Sequence, residues 1–284
     1  MKANAEPTTI TERDANTELS LETSRSVGSR RAPLSVTIVA QNEERTIGRV
    51  LDAVRTIADE IIFVDSGSTD RTIEIAKSHG VRLFHQEWLG YSSQKNFAID
   101  QAQNDWILSL DADEILTPAL VSEIESILAN PIPDNVAGYK LPRILFIGET
   151  PCKRGGFYPD AQLRLFRKSK GRFKERIVHE AVKVDGDVVK LKNPMLHYSY
   201  KDVQQFADAM DKYARLSAQH YAEVEFKPWR AHPVNEFLHP LWTFFYRQVI
   251  RGGFLEGPLC FRLNLIYSDY VRKKIRYLRE IRRH

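Results

Sequence analysis

The chain has 284 residues, room for one sizeable domain with an appendage, and its 43% hydrophobic and 27% charged content is ordinary for a globular protein. Its net charge of +4 is unevenly spread, because residues 228–284 hold 11 Lys and Arg against 4 Asp and Glu, a surplus of +7 that leaves −3 elsewhere. The two cysteines, Cys152 and Cys260, lie far apart without metal-ligand spacing, which fits a reducing compartment and argues against a disulfide framework or a Cys-based zinc site.

Residues 1–33 contain no aromatic residue and no apolar signal-like run, so they are expected to be a disordered leader rather than a secretory signal. From there apolar strands and helices alternate. Leu34–Ala40 is a predicted strand, and Asn42–Arg55 a helix with Ile47, Val50, Leu51 and Val54 on one face. Glu60–Asp65 is the second strand; Asp70 caps a helix to His79, which Gly80 ends. Val81–His85, the helix Ser92–Gln103 and the strand Asp105–Leu110 complete the repeats. Such β-α repeats predict an α/β fold with a mostly parallel sheet covered on both faces, whose ligands sit beyond the carboxyl ends of the strands. Three polar clusters fall there: Asn42-Glu43-Glu44, Asp65 to Asp70, and Asp111-Ala112-Asp113. After the helical stretch Pro118–Asn130 come the strands Gly138–Phe146 and Ala161–Arg167 with the loop Cys152–Pro159 between them, then the helix-like stretch Asp202–Val224.

Asp111 and Asp113 follow a buried apolar run one residue apart. On a continuing strand their side chains point the same way, and two like charges so placed call for a cation. A hard divalent ion, Mg²⁺ or Mn²⁺, that also grips a diphosphate meets the need. The turn Asp65-Ser66-Gly67-Ser68-Thr69-Asp70 offers N–H groups and a carboxylate where a nucleotide base or ribose would lie. No Gly-x-Gly-x-x-Gly or P-loop pattern accompanies it, which removes the dinucleotide-binding and P-loop readings.

Val36 to Glu44, Val64 to Asp70, Gln94-Lys95-Asn96-Phe97-Ala98 and Leu108 to Glu114, in this order, resemble the inverting glycosyltransferases of family 2, which have the GT-A fold. The resemblance implies a nucleotide-sugar donor, with Asp65 near the uracil, Asp111 near the ribose and metal, and Asp113 on the metal. It places Asn42, Glu43, Ser66, Gly67 and Asp70 on the donor side as well. The base of this family usually lies in a Glu-Asp pair after a Phe-x-Glu stretch. Here Phe173-Lys174-Glu175 leads to His179-Glu180, so Glu180 is the first choice and Asp160 the rival, a carboxylate being suited to deprotonating an acceptor hydroxyl. His179 and His197 are candidate additional metal ligands. Lys95, Arg164 and Arg167 are candidates to steady the departing diphosphate.

Tyr158-Pro159-Asp160, Leu163 to Arg167, Val178-His179-Glu180 and Leu196 to Tyr200 further resemble bacterial lipopolysaccharide core β-glucosyltransferases. These move glucose from UDP-glucose to an inner-core heptose, although related sequences serve capsule and exopolysaccharide pathways. The expected division is a leader over 1–33, a catalytic domain over 34–225 and a basic amphipathic tail over 226–284. Apolar runs around Leu238–Tyr246 and Gly252–Tyr270 are interrupted by Arg247, Arg251, Glu256 and Arg262, too short to span a bilayer but suited to its headgroup region. Arg272-Lys273-Lys274-Ile275-Arg276 and Arg279 to Arg283 are expected to face anionic lipid. The expected partners are therefore a UDP-sugar, a lipid-linked saccharide and an anionic membrane surface, with no nucleic acid, at the cytoplasmic face of the bacterial inner membrane. The competing reading is a non-catalytic sugar-nucleotide-binding protein of the same fold.

Overall fold

In the computed structural model, residues 31–174, 181–224 and 231–282 are described. Strands β1 (Leu34–Ala40), β2 (Glu60–Asp65), β3 (Arg82–His85) and β4 (Trp106–Asp111) run parallel in the order β3-β2-β1-β4. Helices α1 (Ile47–Val54), α2 (Thr72–Ser78) and α3 (Tyr91–Asp100) connect them. Register aligns their ends: Ala40 lies opposite Asp65, and Val39 opposite Asp111, so the polar clusters share one edge.

Beyond β4 the sheet becomes mixed. β8 (Asp160–Arg167) runs antiparallel to β4 on one side and to β6 (Val136–Ile147) on the other. β5 (Glu114–Leu116), β7 (Thr150–Cys152), β11 (Asp187–Lys190) and β12 (Met195–Tyr200) complete it. β9 (Gly171–Lys174) and β10 (Ala181–Val184) form a separate hairpin. α1 and α4 (Pro118–Ala129) bury Ile47, Val50, Leu51, Val54, Leu120, Ile124 and Leu128 on one face of the sheet. On the other face Ala98 and Ile99 of α3 pack with Ile62, Ile107, Phe166 and Phe173. The helix expected from Asn42 starts only at Ile47, because Asn42 adopts a left-handed conformation with φ of 58° that no helix continues through.

The carboxyl-terminal third departs most from expectation. α5 (Val203–Glu223), α6 (Asn235–Phe245), a π-helical turn (Tyr246–Ile250), a 3₁₀ turn (Gly253–Glu256) and α7 (Gly257–Ile281) pack together and onto the sheet. Cys260 and Leu263 of α7 join Ile147, Cys152, Phe157 and Phe206 in a third core. The Glu256 carboxylate accepts the N–H groups of Lys153 and Arg154, and Gly155 N–H donates to the Arg251 carbonyl at 3.0 Å. Residues after 231 thus share a core with the sheet and with α5.

The basic run expected to face lipid forms ion pairs at the surface of these helices. Lys273 pairs with Asp211 at 2.8 Å, Arg276 and Arg279 both pair with Glu236, and Arg272 pairs with Asp269. The exposed surface of this region also carries apolar side chains, Phe237, Leu241, Trp242, Ile250, Phe254 and Leu255, each at least 60% exposed. Among the described residues no helix is long and apolar enough to cross a membrane.

Leu263 has no exposed surface, so Leu263→Ala is expected to cost about 2–5 kcal/mol of the stability of the whole domain. Thermal unfolding followed at the sheet and at the helices should shift as one transition. A variant that loosens only the tail would contradict the shared core.

Candidate active site

Asp111, the last residue of β4, stands where two cavities meet. One, of about 690 Å³, lies over the ends of β1 and β4 and is edged by Gln41, Glu43, Ser66, Trp88, Tyr91 and Lys95. The other, of about 590 Å³, is lined by Arg143, Phe157, Asp160, Tyr200, Arg247 and Tyr267 among others. Asp111, His197 and Tyr213 border both.

A row of alternating charges forms the floor. Lys95 Nζ lies 2.7 Å from Asp111 Oδ1, and Arg164 Nη2 pairs with Asp111 Oδ2. The same Arg164 nitrogen reaches Glu114 Oε1 at 2.7 Å, and Arg143 Nη1 reaches that oxygen at 2.8 Å. Arg143 Nε then donates to Asp160 Oδ2 at 3.1 Å. Glu114 is fully buried, and its other oxygen accepts the Asp111 N–H at 3.1 Å. Burial by itself would push Asp111 up, but Arg164 and Lys95 outweigh it and hold the carboxyl far below the usual range. Asp160 is likewise lowered: burial opposes ionisation, and Arg143 overrides it. Glu43 moves the other way, raised by burial first and then by the nearby charge of Asp113.

Asp113 does not continue β4. It sits in the turn between β4 and β5, where its carbonyl accepts Tyr198 N–H at 3.0 Å. Its carboxylate lies 3.4 Å from both His197 Nε2 and Ser199 Oγ. A carboxylate and an imidazole side by side at the crevice fit a hard divalent ion whose remaining positions are filled by substrate phosphate and water. Asp111 fits that role less well, because both its oxygens are already held by cations. Among the described residues no three His, Cys, Asp or Glu converge as a ready-made metal cage.

The remaining candidates divide clearly. Asp65 is buried, and its carboxylate accepts N–H groups of Gly67 and Ser68 at 2.9 and 3.1 Å. Asn42 Oδ1 accepts Thr69 N–H at 2.8 Å, and Asp70 accepts from Thr72 and Glu44 N–H at 2.9 and 3.2 Å. Asn42, Asp65, Gly67 and Asp70 thus build the loop whose Ser66, along with Glu43, lines the cavity. Gly67 is required there, its φ being 92°. Arg167 is corrected: β8 runs antiparallel to β4, so Arg167 pairs with Trp106 at the far end of the strand from Asp111. There it bonds Asp105 and stacks on Trp106 at 4.6 Å. His179 and Glu180 lie outside the described residues.

Trp88, Tyr91, Arg143, Tyr213 and Arg247 were not singled out by sequence. Arg143 did carry a signal, as a lone charge inside the apolar run Leu141–Ile147. The stretch Gln94-Lys95-Asn96 divides its work. Gln94 Nε2 donates to Ser66 Oγ at 2.9 Å, Lys95 neutralises Asp111, and Asn96 holds Phe173 through both N–H and carbonyl.

Residues 35–143 match the family model for glycosyl transferase family 2. An uncharacterised glycosyltransferase of Rickettsia bellii is 32% identical over 258 residues, covering 87% of this chain and 86% of that protein. The lipopolysaccharide core biosynthesis glycosyltransferase LpsC of Rhizobium meliloti is 31% identical over 260 residues, 86% of this chain and 92% of LpsC. A mannosyltransferase from Pyrobaculum calidifontis, solved in complex with GDP-Man and Mn²⁺, superposes with a TM-score of 0.53 at 14% identity over 87% of each chain. The fold is that of the GT-A sugar transferases. The chain belongs to glycosyltransferase family 2.

Removing Glu114 leaves two buried arginines short of their shared partner, so Glu114→Ala is expected to cost about 3–5 kcal/mol, read as a drop in the unfolding midpoint in denaturant. An unchanged midpoint would deny Glu114 its central place.

Asp160 supplies a pH test. Its folded pKa lies below the unfolded one, so its contribution is complete above about pH 5 and is lost as the pH falls through about 4 and below. The Tm gap between wild type and Asp160→Asn should be level above about pH 5 and close in acid. A gap that widens in acid would contradict the pairing.

Proposed function

We propose that the protein is a metal-dependent, inverting glycosyltransferase that moves a sugar, glucose in the present reading, from a UDP-sugar to a lipid-linked saccharide of the lipopolysaccharide inner core. The observation that carries this reading is the meeting of two cavities at Asp111 and His197, one suited to a donor and one to an acceptor. The likeness to LpsC over nearly the whole of both chains supports the choice of lipopolysaccharide over capsule or exopolysaccharide.

In this reading Trp88 and Tyr91, 48% and 61% exposed, offer flat faces to the nucleotide at the mouth of the donor cavity. Lys95 presents positive charge where the diphosphate lies. Asp113 and His197 would hold Mg²⁺ or Mn²⁺. The ion, when bound, offsets the charge that builds on the departing diphosphate. The acceptor hydroxyl attacks the anomeric carbon from the side of the second cavity. Its oxygen forms the new glycosidic bond, the bond to UDP breaks with its electron pair leaving on the phosphate, and the proton passes to a carboxylate. One displacement of this kind inverts the anomeric centre. Asp160 is ill suited to take the proton, because Arg143 depresses its basicity. Glu180 therefore keeps the role on sequence grounds.

The acceptor cavity shares Arg247 and Tyr267 with the same carboxyl-terminal segment that bears the exposed apolar surface. A surface with Trp242, Phe254 and Leu255 outward and Arg251 beside them suits the headgroup region of the cytoplasmic leaflet, and would bring a lipid-linked acceptor to the cavity mouth.

Three measurements test this. In a screen of UDP-sugars with Mn²⁺, Asp113→Ala is expected to lose about 10²-fold or more of transfer or donor hydrolysis while keeping its fold. Wild-type protein that neither binds nor turns over any UDP-sugar would refute the enzyme. A deletion strain should make lipopolysaccharide lighter by one hexose; unchanged lipopolysaccharide with a missing capsular polymer would move the acceptor there. For the surface, Trp242→Asp with Phe254→Asp should abolish sedimentation with anionic vesicles, and wild-type protein that ignores such vesicles would end the membrane reading.

A further inference from the structure

We infer that Arg247 recognises an anionic group, a phosphate or a carboxylate, on the acceptor saccharide. This rests on the reading of the second cavity as the acceptor half of a transferase site.

Arg247 borders that cavity, yet only 8% of its surface is exposed. Its Nε donates to Asn264 Oδ1 at 2.9 Å. Its guanidinium carbon lies 4.3 Å from the Phe157 ring centroid and 4.0 Å from that of Tyr267, so two aromatic rings fix its plane. Its Nη2 is buried, and among the described residues it has no hydrogen-bond partner. No acidic side chain among them forms an ion pair with it either. Arg143, lining the same cavity, differs in every respect: Glu114 and Asp160 both answer its charge.

A buried cation without a counter-charge is costly, and arginine cannot escape the cost by losing its proton at physiological pH. Burial is the largest influence and disfavours the charged form; Tyr267 and Cys260 offset part of it, and Arg251 adds to it. The local backbone serves to hold the guanidinium in place. Arg247 sits in the π-helical turn Tyr246–Ile250, a distortion often found at functional sites. Gly156, at φ 80°, brings the Cys152–Pro159 loop so close that a Cβ there would lie 2.9 Å from Arg247 Nη1. An oriented guanidinium with an unpartnered Nη2, stacked between rings at a cavity wall, suits a charge-assisted hydrogen bond to an oxygen of a phosphate or carboxylate. The surrounding tyrosines and phenylalanines supply the flat apolar surface that a sugar ring packs on.

Calorimetric titration of the full chain tests this with four probes: mannose, mannose 6-phosphate, glucuronate and inorganic phosphate. Wild type should bind mannose 6-phosphate or glucuronate about tenfold or more tightly than mannose, since a hydrogen bond to a charged group accounts for at least that factor. Preference for the sugar phosphate assigns a phosphorylated acceptor, and preference for glucuronate an acidic sugar; binding of inorganic phosphate alone, with no gain for either sugar, overturns the saccharide assignment. Arg247→Met, which keeps the apolar stacking and removes the fork, should level the probes. Equal binding of all the sugars by wild type, or a preference that survives in Arg247→Met, overturns the inference. Should Arg247→Met fail to fold, Arg247→Lys decides by the same comparison, with weakened anion preference supporting the inference and unchanged preference overturning it. UDP titrated into wild type reads the other cavity, so a failure of the donor reading shows separately from a failure here.

Discussion

Glu114 is a carboxylate with no exposed surface, and two arginines depend on it. An ion of this kind is tolerable inside a protein only when its partners are fixed and its lone pairs are used, and both conditions hold. Its two oxygens take Arg164, Arg143 and the N–H of Asp111. Because Arg164 also holds Asp111, and Arg143 also holds Asp160, one buried anion sets the positions of acidic groups on both sides of the site. Lys95 closes the row beyond Asp111. The charges alternate in sign along it, so each is stabilised by its neighbours, and displacing one exposes the next.

The topology explains why this row can exist. β4 ends at Asp111, and β8 beside it runs the other way, which brings Asp160 and Arg164 to the same edge while sending Arg167 to the opposite one. β6, on the far side of β8, contributes Arg143 directly opposite Asp160. β12 brings His197 and Ser199 against the Asp113 turn. Four strands of mixed direction are thus needed to gather a site that a purely parallel sheet would leave open on one side. The carboxyl-terminal helices close that side, and they do so with core residues such as Leu263 as well as with cavity-lining ones such as Arg247.

Much of the amino-terminal half was legible because its chemistry is local. β1 and β2 have the bounds that apolar patterning predicts, and the three polar clusters do meet at one edge. Lys95 and Arg164 were picked out as cations, and both stand on Asp111. What local pattern could not give was direction and pairing. Arg164 and Arg167 look equivalent in sequence, and only the antiparallel run of β8 separates them. Asp65 and Asp70 read as ligand groups, yet their oxygens are taken up by N–H groups of their own and neighbouring loops. The ion pairs of the tail's basic residues were not legible, because their acidic partners Asp211 and Glu236 lie far away in sequence. Arg247 looked like an interruption of an apolar run; its meaning depends on Phe157, some ninety residues earlier in the chain, and on Tyr267 after it.

In the proposed reaction donor and acceptor occupy different cavities that meet at Asp111 and His197. Crystals grown with UDP and Mn²⁺ test this most directly, through the anomalous signal of the metal. A manganese peak is expected against the carboxylate of Asp113 and the His197 ring, with the nucleotide in the cavity edged by Trp88 and Lys95. A metal peak away from Asp113, or UDP lodged beside Arg247 instead, would contradict it.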